Sequence, residues 1–280
     1  MVENPVNKRR PSALESVFGK RKAIIGVVHS RPLPGSPGYE GEAMDAIYAY
    51  AVAEAERYAA GGMDGVILEN HGDIPFLKPE DIGHETAAAM AVMADRVRRA
   101  VKLPVGINVL ANGALTATAV AKAAGAAFIR VNQWANAYVA NEGLIEGPAA
   151  KATRYRAWLR AQGLKIFADV HVKHGAHAIV ADRSIPELTR DAEFFDADVI
   201  IATGQRTGDC ATRDEIVTIK DATQLPVVVG SGVGEDTVED VLSLCDGVIV
   251  ASSLKRDGVW WNEVDPDRVR RFMNRARAVR

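Results

Sequence analysis

The sequence predicts a single (β/α)8 TIM barrel of the α/β class, and three observations predict it. Eight short apolar runs of strand length recur along the chain, helix-length segments rich in Ala or charge separate them, and the runs end on residue types suited to chemistry. The runs are Lys22 to His29, Gly65 to Asn70, Pro104 to Leu110, Phe128 to Asn132, Lys165 to His171, Asp198 to Thr203, Pro226 to Gly232 and Gly247 to Ser253. In such a barrel the carboxyl ends of the strands converge on one face, so the polar run ends are where function is expected.

Taken in order, residues 1–20 are polar, contain Lys8, Arg9, Arg10 and Pro11, and read as a flexible tail without a signal-like apolar run. Residues 21–280 form the expected barrel domain. The first run, AIIGVV, is nearly continuous in apolarity, as a parallel strand covered on both faces should be. The segment from Arg31 to Gly41 holds three Pro and three Gly, which block regular structure and leave either a lid or a rigid surface loop. A helix over 43–60 places Met44, Ile47, Ala51 and Tyr58 on one side and stops at Gly61-Gly62. The exit of the second strand, His71 to Pro79, is expected to fold over the mouth. The one long insertion follows the fourth strand and is expected to bring Trp134, Tyr138 and Asn141 to the mouth. Capping-box spacing, Ser184 with Glu187 and Thr212 with Glu215, fixes the starts of two later helices. The last helix starts near Asp265-Pro266, and its arginines read as a solvated helix end that complements the dipole.

Composition narrows the function classes. The 280 residues, 48% hydrophobic, suffice for one large core, and a barrel takes about 250 residues. A net charge of -2 gives no general attraction to nucleic acid, so no nucleic-acid partner is expected. No stretch reaches the ~20 apolar residues of a membrane span, which leaves peripheral association as the only membrane contact to expect. Two cysteines, Cys210 and Cys245, suit a reducing compartment, and the expected location is cytoplasmic.

After the seventh run come Gly230, Ser231 and Gly232, and after the eighth come Ser252 and Ser253. Small residues let backbone N-H groups approach an anion, and these two loops are the usual phosphate site of such barrels. A small phosphorylated ligand is therefore expected, with Thr203 and Gly204 at the neighbouring strand end, although Glu235 and Asp236 would repel an anion if they faced it. The fifth run places Asp169, His171 and Lys173 on one face by strand alternation. There Asp169 is expected to orient His171 for proton transfer, with Lys173 stabilising developing charge. Glu69, Asp169 and His171 are also candidate ligands for a divalent metal, with His29 as a further one. Asn108, Arg130 and Asn132 complete the polar set, and Glu69 and Arg130 are expected to meet each other or a ligand, since buried charge is costly unless paired. Gln205, Arg206 and Asp209 are further candidate contacts. His174 and His177 read as an ordinary loop rather than a metal clip.

The segments GVVHSRPLPGSPGY, GVILENHGDIPF, PVGINVLANGA, FIRVNQWANAYV, FADVHVKHGAH and ATGQRTG, in this order, resemble the BtpA/SgcQ family across nearly the whole chain after the tail. That resemblance implies a barrel of the ribulose-phosphate-binding type. It also implies a family whose name comes from photosystem I biogenesis, with relatives in non-photosynthetic bacteria and archaea, and it carries no settled reaction onto His29, Glu69, Asn108, Asp169 or His171. Two function classes follow: an enzyme on a small phosphorylated metabolite, by acid/base isomerase, epimerase or lyase chemistry or by metal-assisted hydrolysis, and a non-catalytic assembly factor for a membrane complex. A homo-oligomer is an expectation by fold analogy alone.

Overall fold

Strict two-residue alternation organises the eight barrel strands, sending one set of side chains inward and the other against the helices. The computed structural model describes residues 12–204 and 210–280. The basic tail residues Lys8, Arg9, Arg10 and Pro11, and the candidates Gln205, Arg206 and Asp209, lie outside the described residues.

The chain opens with helix α1 (Ala13–Phe18) and strand β1 (Ala23–His29), then runs α2 (Met44–Gly61), β2 (Gly65–Glu69), α3 (His84–Ala100), β3 (Val105–Asn108), α4 (Ala114–Ala124) and β4 (Phe128–Val131). The insertion is a hairpin, β5 (Ala137–Ala140) and β6 (Gly143–Glu146), followed by α5 (Ala149–Trp158), β7 (Lys165–Val170) and the two-residue β8 (Gly175–Ala176). The rest is α6 (Ile185–Phe194), β9 (Val199–Ala202), α7 (Arg213–Ala222), β10 (Val227–Gly230), α8 (Val238–Leu244), β11 (Gly247–Val250) and α9 (Pro266–Ala276). Strands β1, β2, β3, β4, β7, β9, β10 and β11 close into a parallel barrel in that order, so the expected fold class is the observed one.

Inside the barrel, Ile25, Ile67, Phe128, Phe167, Val199, Ile201, Val228 and Ile249 make a buried apolar layer. Gly106 belongs to it by position: a Cβ there would sit 2.3 Å from the Phe128 ring, so β3 yields its space to that ring. The outward residues, such as Ile24, Leu68, Ile107, Ile129, Ile200 and Val248, pack against the helices. Burial of this kind contributes about 25 cal/mol per Å2 of apolar surface. The helix stops follow the sequence signals. Gly62 caps α2 with φ 88°, Ser184 Oγ and Thr212 Oγ1 accept from the amides of Glu187 and Glu215, and Asp265 accepts from Asp267 and Arg268.

Two expectations about the flanks change. The flexible tail does not extend to Lys20: α1 plugs the amino-terminal end of the barrel, with Leu14 fully buried and Phe18 edge-on to Phe128 and Phe167 at 5.6 and 6.4 Å. Trp134 does not reach the mouth; it is fully buried in the outer core, and its indole N-H donates to the Phe195 carbonyl at 3.0 Å. The arginines of α9 are paired: Arg271 with Glu235 at 3.0 Å, and Arg275 with Glu239 at 3.5 Å and Asp236 at 4.0 Å. Glu235 and Asp236 are thus turned to α9.

Candidate active site at the barrel mouth

Continuing each inward set by one step gives the floor of the mouth. Beyond Ile25 and Val27 comes His29, beyond Ile67 comes Glu69, beyond Gly106 comes Asn108, and beyond Phe128 comes Arg130. Beyond Phe167 comes Asp169, beyond Ile201 comes Thr203, and beyond Val228 comes Gly230. The ladder register sets His29 beside Glu69 and Glu69 beside Asn108. A ring of polar side chains therefore follows from alternation plus parallel register. Above it lies a cavity of about 630 Å³, whose lining includes His29, Glu69, His71 and Arg130 together with Gly230 to Gly234 and Ala251 to Ser253.

Glu69 is the hub. Its Oε1 lies 2.9 Å from His71 Nδ1, and its Oε2 accepts from Asn108 Nδ2 at 2.7 Å. Burial pushes its carboxyl up, but the His71 hydrogen bond and the nearby charges of His71, His29 and Arg130 outweigh this and hold it well below the usual carboxylate range. His29 stacks on His71 with centroids 4.5 Å apart, places Nε2 3.9 Å from Glu69 Oε1, and has Nδ1 3.1 Å from the Trp260 carbonyl. Burial pushes its pKa down to about 3, against the pull of Glu69, so the imidazole is neutral. His29, Glu69 and His71 offer one ligand atom each, all within 4.8 Å of one another.

Arg130 and Asp169 form a buried two-pronged pair, Nε to Oδ1 at 3.0 Å and Nη2 to Oδ2 at 2.8 Å. The partner of Arg130 is therefore Asp169, while Glu69 acts on it only through charge. Both carboxylate oxygens of Asp169 are spoken for, and this corrects the expected orienting of His171. Strand β7 ends at Val170, and His171 turns away with φ 56°, facing Glu215 Oε1 at 3.8 Å and the His177 ring at 4.2 Å. It does not line the cavity, so the expected ligand trio of Glu69, Asp169 and His171 is not assembled; the trio that meets is His29, Glu69 and His71. His71 lies two residues past Glu69, in the turn after β2 but on the parity of the inward set Ile67 and Glu69. The sequence signal available is the His-Gly pair directly after a polar strand end.

The hydrogen bonds of Asn70 place that turn. Its amide donates to Asp73 at 3.0 Å and to the Leu110 carbonyl at 3.3 Å, and its Oδ1 accepts from the Leu110 N-H at 2.7 Å. Asp73 in turn accepts from the Leu33 amide at 2.7 Å, docking the Pro- and Gly-rich loop beside the site, where Leu33 is fully buried. That loop does not line the cavity.

Lys173 and His174 line the cavity, as do Tyr138 and Asn141 of the insertion. Strand β5 pairs with both β6 and β8, so the loops after β4 and β7 share one small sheet along the rim. In the loop after β10, Ser231 holds φ 144° and Gly232 holds φ 67°. Such backbone in a non-glycine residue is costly and concentrates at sites that bind ligands. Ser253 Oγ donates to the Val233 carbonyl at 2.7 Å, joining the loops after β10 and β11. Thr203 is fully buried beneath Gly230 with Oγ1 unpartnered, and Gly204 is buried beside it; neither lines the cavity. Asn108 Oδ1 and Asn132 Oδ1 are likewise buried without a hydrogen-bond partner.

Known proteins resemble the chain over this whole arrangement. The BtpA family matches residues 20–278. A protein of Archaeoglobus fulgidus is 43% identical over 91% of this chain and 99% of its own length. The photosystem I biogenesis protein BtpA of Synechocystis is 40% identical over 93% of this chain and 90% of its own length. Among solved structures, tryptophan synthase from M. tuberculosis superposes with TM-score 0.59 at 18% identity, over 96% of this chain and 99% of that one. Thiamine phosphate pyrophosphorylase from Pyrococcus furiosus superposes with TM-score 0.57 at 17% identity, over 92% and 98%. At those identities the likeness is one of fold.

Proposed function

The chain belongs to the BtpA family, and from that membership and the geometry of the mouth we propose that it is an enzyme acting on a small phosphorylated metabolite. The observation that carries this reading is the lining of the cavity at the mouth. A loop wall of small residues, Gly230 to Gly234 with Ala251 to Ser253, is joined by a wall of ionisable side chains, His29, Glu69, His71 and Arg130. A phosphate fits the first wall, where backbone N-H groups approach an anion unhindered. The reactive end of the substrate then falls at the second wall. There Arg130 meets developing negative charge, and the linked Glu69 and His71 handle a proton. Isomerase, epimerase, lyase and hydrolase steps all draw on these two abilities. The names of the structural neighbours, among them thiamine phosphate pyrophosphorylase and a phosphoribosyl anthranilate isomerase, support a phosphorylated substrate class. The free thiols Cys210 and Cys245 fit work in a reducing, cytoplasmic setting.

The second reading is an assembly factor without turnover, favoured by the name of the Synechocystis relative. Among the described residues no helix is long and apolar enough to cross a membrane, so that role would need a peripheral contact.

One substitution tests the phosphate wall. A Cβ at Gly234 meets nothing within 4 Å, so Gly234→Asp adds a negative charge to that wall at no steric cost. Thermal-shift screening against sugar phosphates, nucleotides and inorganic phosphate is expected to give a hit in the native protein. At 100 times the dissociation constant the gain is about 2.7 kcal/mol. Gly234→Asp should weaken that ligand about tenfold or more, roughly 1.4 kcal/mol, while Gly234→Ala leaves it unchanged. A flat response across the panel from folded protein would transfer the weight to the assembly reading.

A further inference from the structure

We infer that His29, Glu69 and His71 form a binding site for one divalent transition-metal ion of the zinc class, opening onto the mouth of the barrel. The inference rests on the reading of that mouth as the working end of the molecule. The observation behind it is a convergence of three donor atoms in a largely buried site, one each from His29, Glu69 and His71, all within 4.8 Å of one another. A carbonyl oxygen only accepts, so the contact of His29 Nδ1 with the Trp260 carbonyl at 3.1 Å puts a ring hydrogen on Nδ1 and leaves Nε2 to Glu69 Oε1, 3.9 Å away. That gap is too long for a hydrogen bond and close to the spacing that two ligands of one ion keep.

His71 Nδ1 supplies the third donor atom: it hydrogen-bonds the same Glu69 Oε1 at 2.9 Å, and metal binding would displace the shared proton. Its ring stacks on His29. In a tetrahedral site with bonds of about 2.0 to 2.1 Å, donor atoms stand roughly 3.3 Å apart. The separations of 3.9 and 2.9 Å bracket that value, so small side-chain rotations suffice. Two imidazoles and one carboxylate suit zinc and its neighbours, whereas Mg2+ and Ca2+ prefer sites made of oxygen. Three protein ligands leave a coordination position open toward the cavity, as catalytic rather than structural zinc sites do.

The surroundings are those of a metal site. His29 is oriented through its other nitrogen by a carbonyl, and Glu69 through its other oxygen by Asn108 at 2.7 Å. The same Asn108 carboxamide, 1% exposed, carries an oxygen without a donor. Trp260 packs against the pair, its ring 4.4 Å from that of His71 and 5.8 Å from that of His29. An ion here stands at the mouth beside the segment that follows β11, where it can polarise a substrate oxygen or a bound water.

The test uses untagged full-length protein stripped with a chelator and titrated with Zn2+ alone, and separately with Co2+, whose visible absorption reports four- or five-coordinate geometry. We expect one Zn2+ per chain and a cobalt spectrum with intense bands. Glu69→Gln and His71→Gln, near in shape to the native side chains, should each weaken Zn2+ by about tenfold or more, and Asn108→Ala by about 10- to 100-fold, with unchanged circular dichroism. His171→Gln, outside the trio, should leave the affinity as it is. Absence of stoichiometric Zn2+, or affinity undiminished in Glu69→Gln and His71→Gln, would overturn the inference. Because no phosphorylated compound enters this titration, its failure is separate from failure of the phosphate wall.

Discussion

At the scale of single residues, the pair of Arg130 and Asp169 governs how any variant at the mouth should be read. Both side chains are buried, at 6% and 0% exposure, and each satisfies the other with two hydrogen bonds. Removing one partner leaves a charge in the low-dielectric interior, and we expect Asp169→Ala to cost about 3 to 5 kcal/mol in denaturant unfolding. The double variant Arg130→Met with Asp169→Leu should recover most of that loss, since two apolar groups need no partner; equal instability of the two variants would contradict this account. Loss of turnover in Asp169→Ala alone is therefore no sign of a catalytic carboxylate. At this scale the sequence was legible where alternation holds. His29, Glu69, Asn108, Arg130 and Asp169 all stand one step above an apolar inward residue. It misled at His171, where a left-handed residue ends the strand; it brought His71 to the mouth with the exit of the second strand, but not into contact with Glu69.

Among elements, α1 and the insertion show what periodicity cannot see. The plug helix is six residues long, too short for a helical period to stand out in a polar segment, and it is held by what it covers. Leu14→Ala is expected to lower unfolding stability by about 2 to 5 kcal/mol while leaving ligand affinity at the mouth unchanged, because Leu14 covers the amino-terminal end of the barrel and does not line the cavity. Calorimetry on the native-state variant checks both halves; a change in affinity would tie the ends together. The insertion was visible as extra length after the fourth strand, but not its pairing with β8, since that contact joins segments some 35 residues apart and depends on the barrel to bring them together. Nor could sequence join Glu54 of α2 to Lys255 after β11, a fully buried ion pair that anchors the loop carrying Trp260.

For the molecule as a whole, burial sets an alkaline limit. Cys245, 2% exposed, has its thiol pushed up from 9.0 to about 11 by desolvation, and Tyr58, fully buried, has its phenol pushed well above its ordinary value of 10.0 by the same cause. Between pH 9 and 11 the unfolded chain gives up the Cys245 proton and the folded chain keeps it. The folded state then binds more protons, so stability is full below pH 9 and falls as pH rises, by up to ~1.4 kcal/mol per unit from this one group. Unfolding midpoints measured from pH 8 to 11 should fall less steeply in Cys245→Ala than in the native protein, and parallel curves would remove Cys245 as a cause. The barrel itself was legible because parallel strands covered on both faces leave continuous apolar runs, and eight of them alternate with helix-length segments along the chain.

Asp64, at the start of β2, accepts from Lys20 at 2.5 Å, from Arg280 and from the Ile24 amide at 2.8 Å. One carboxylate thus ties the entry to the first strand and the segment after α9 to the same spot. The first barrel strand already meets the last through the β1–β11 ladder, and here the helical end that follows that last strand is charge-locked to the same region. Closure of the ring is thereby fastened twice, once by backbone and once by charge.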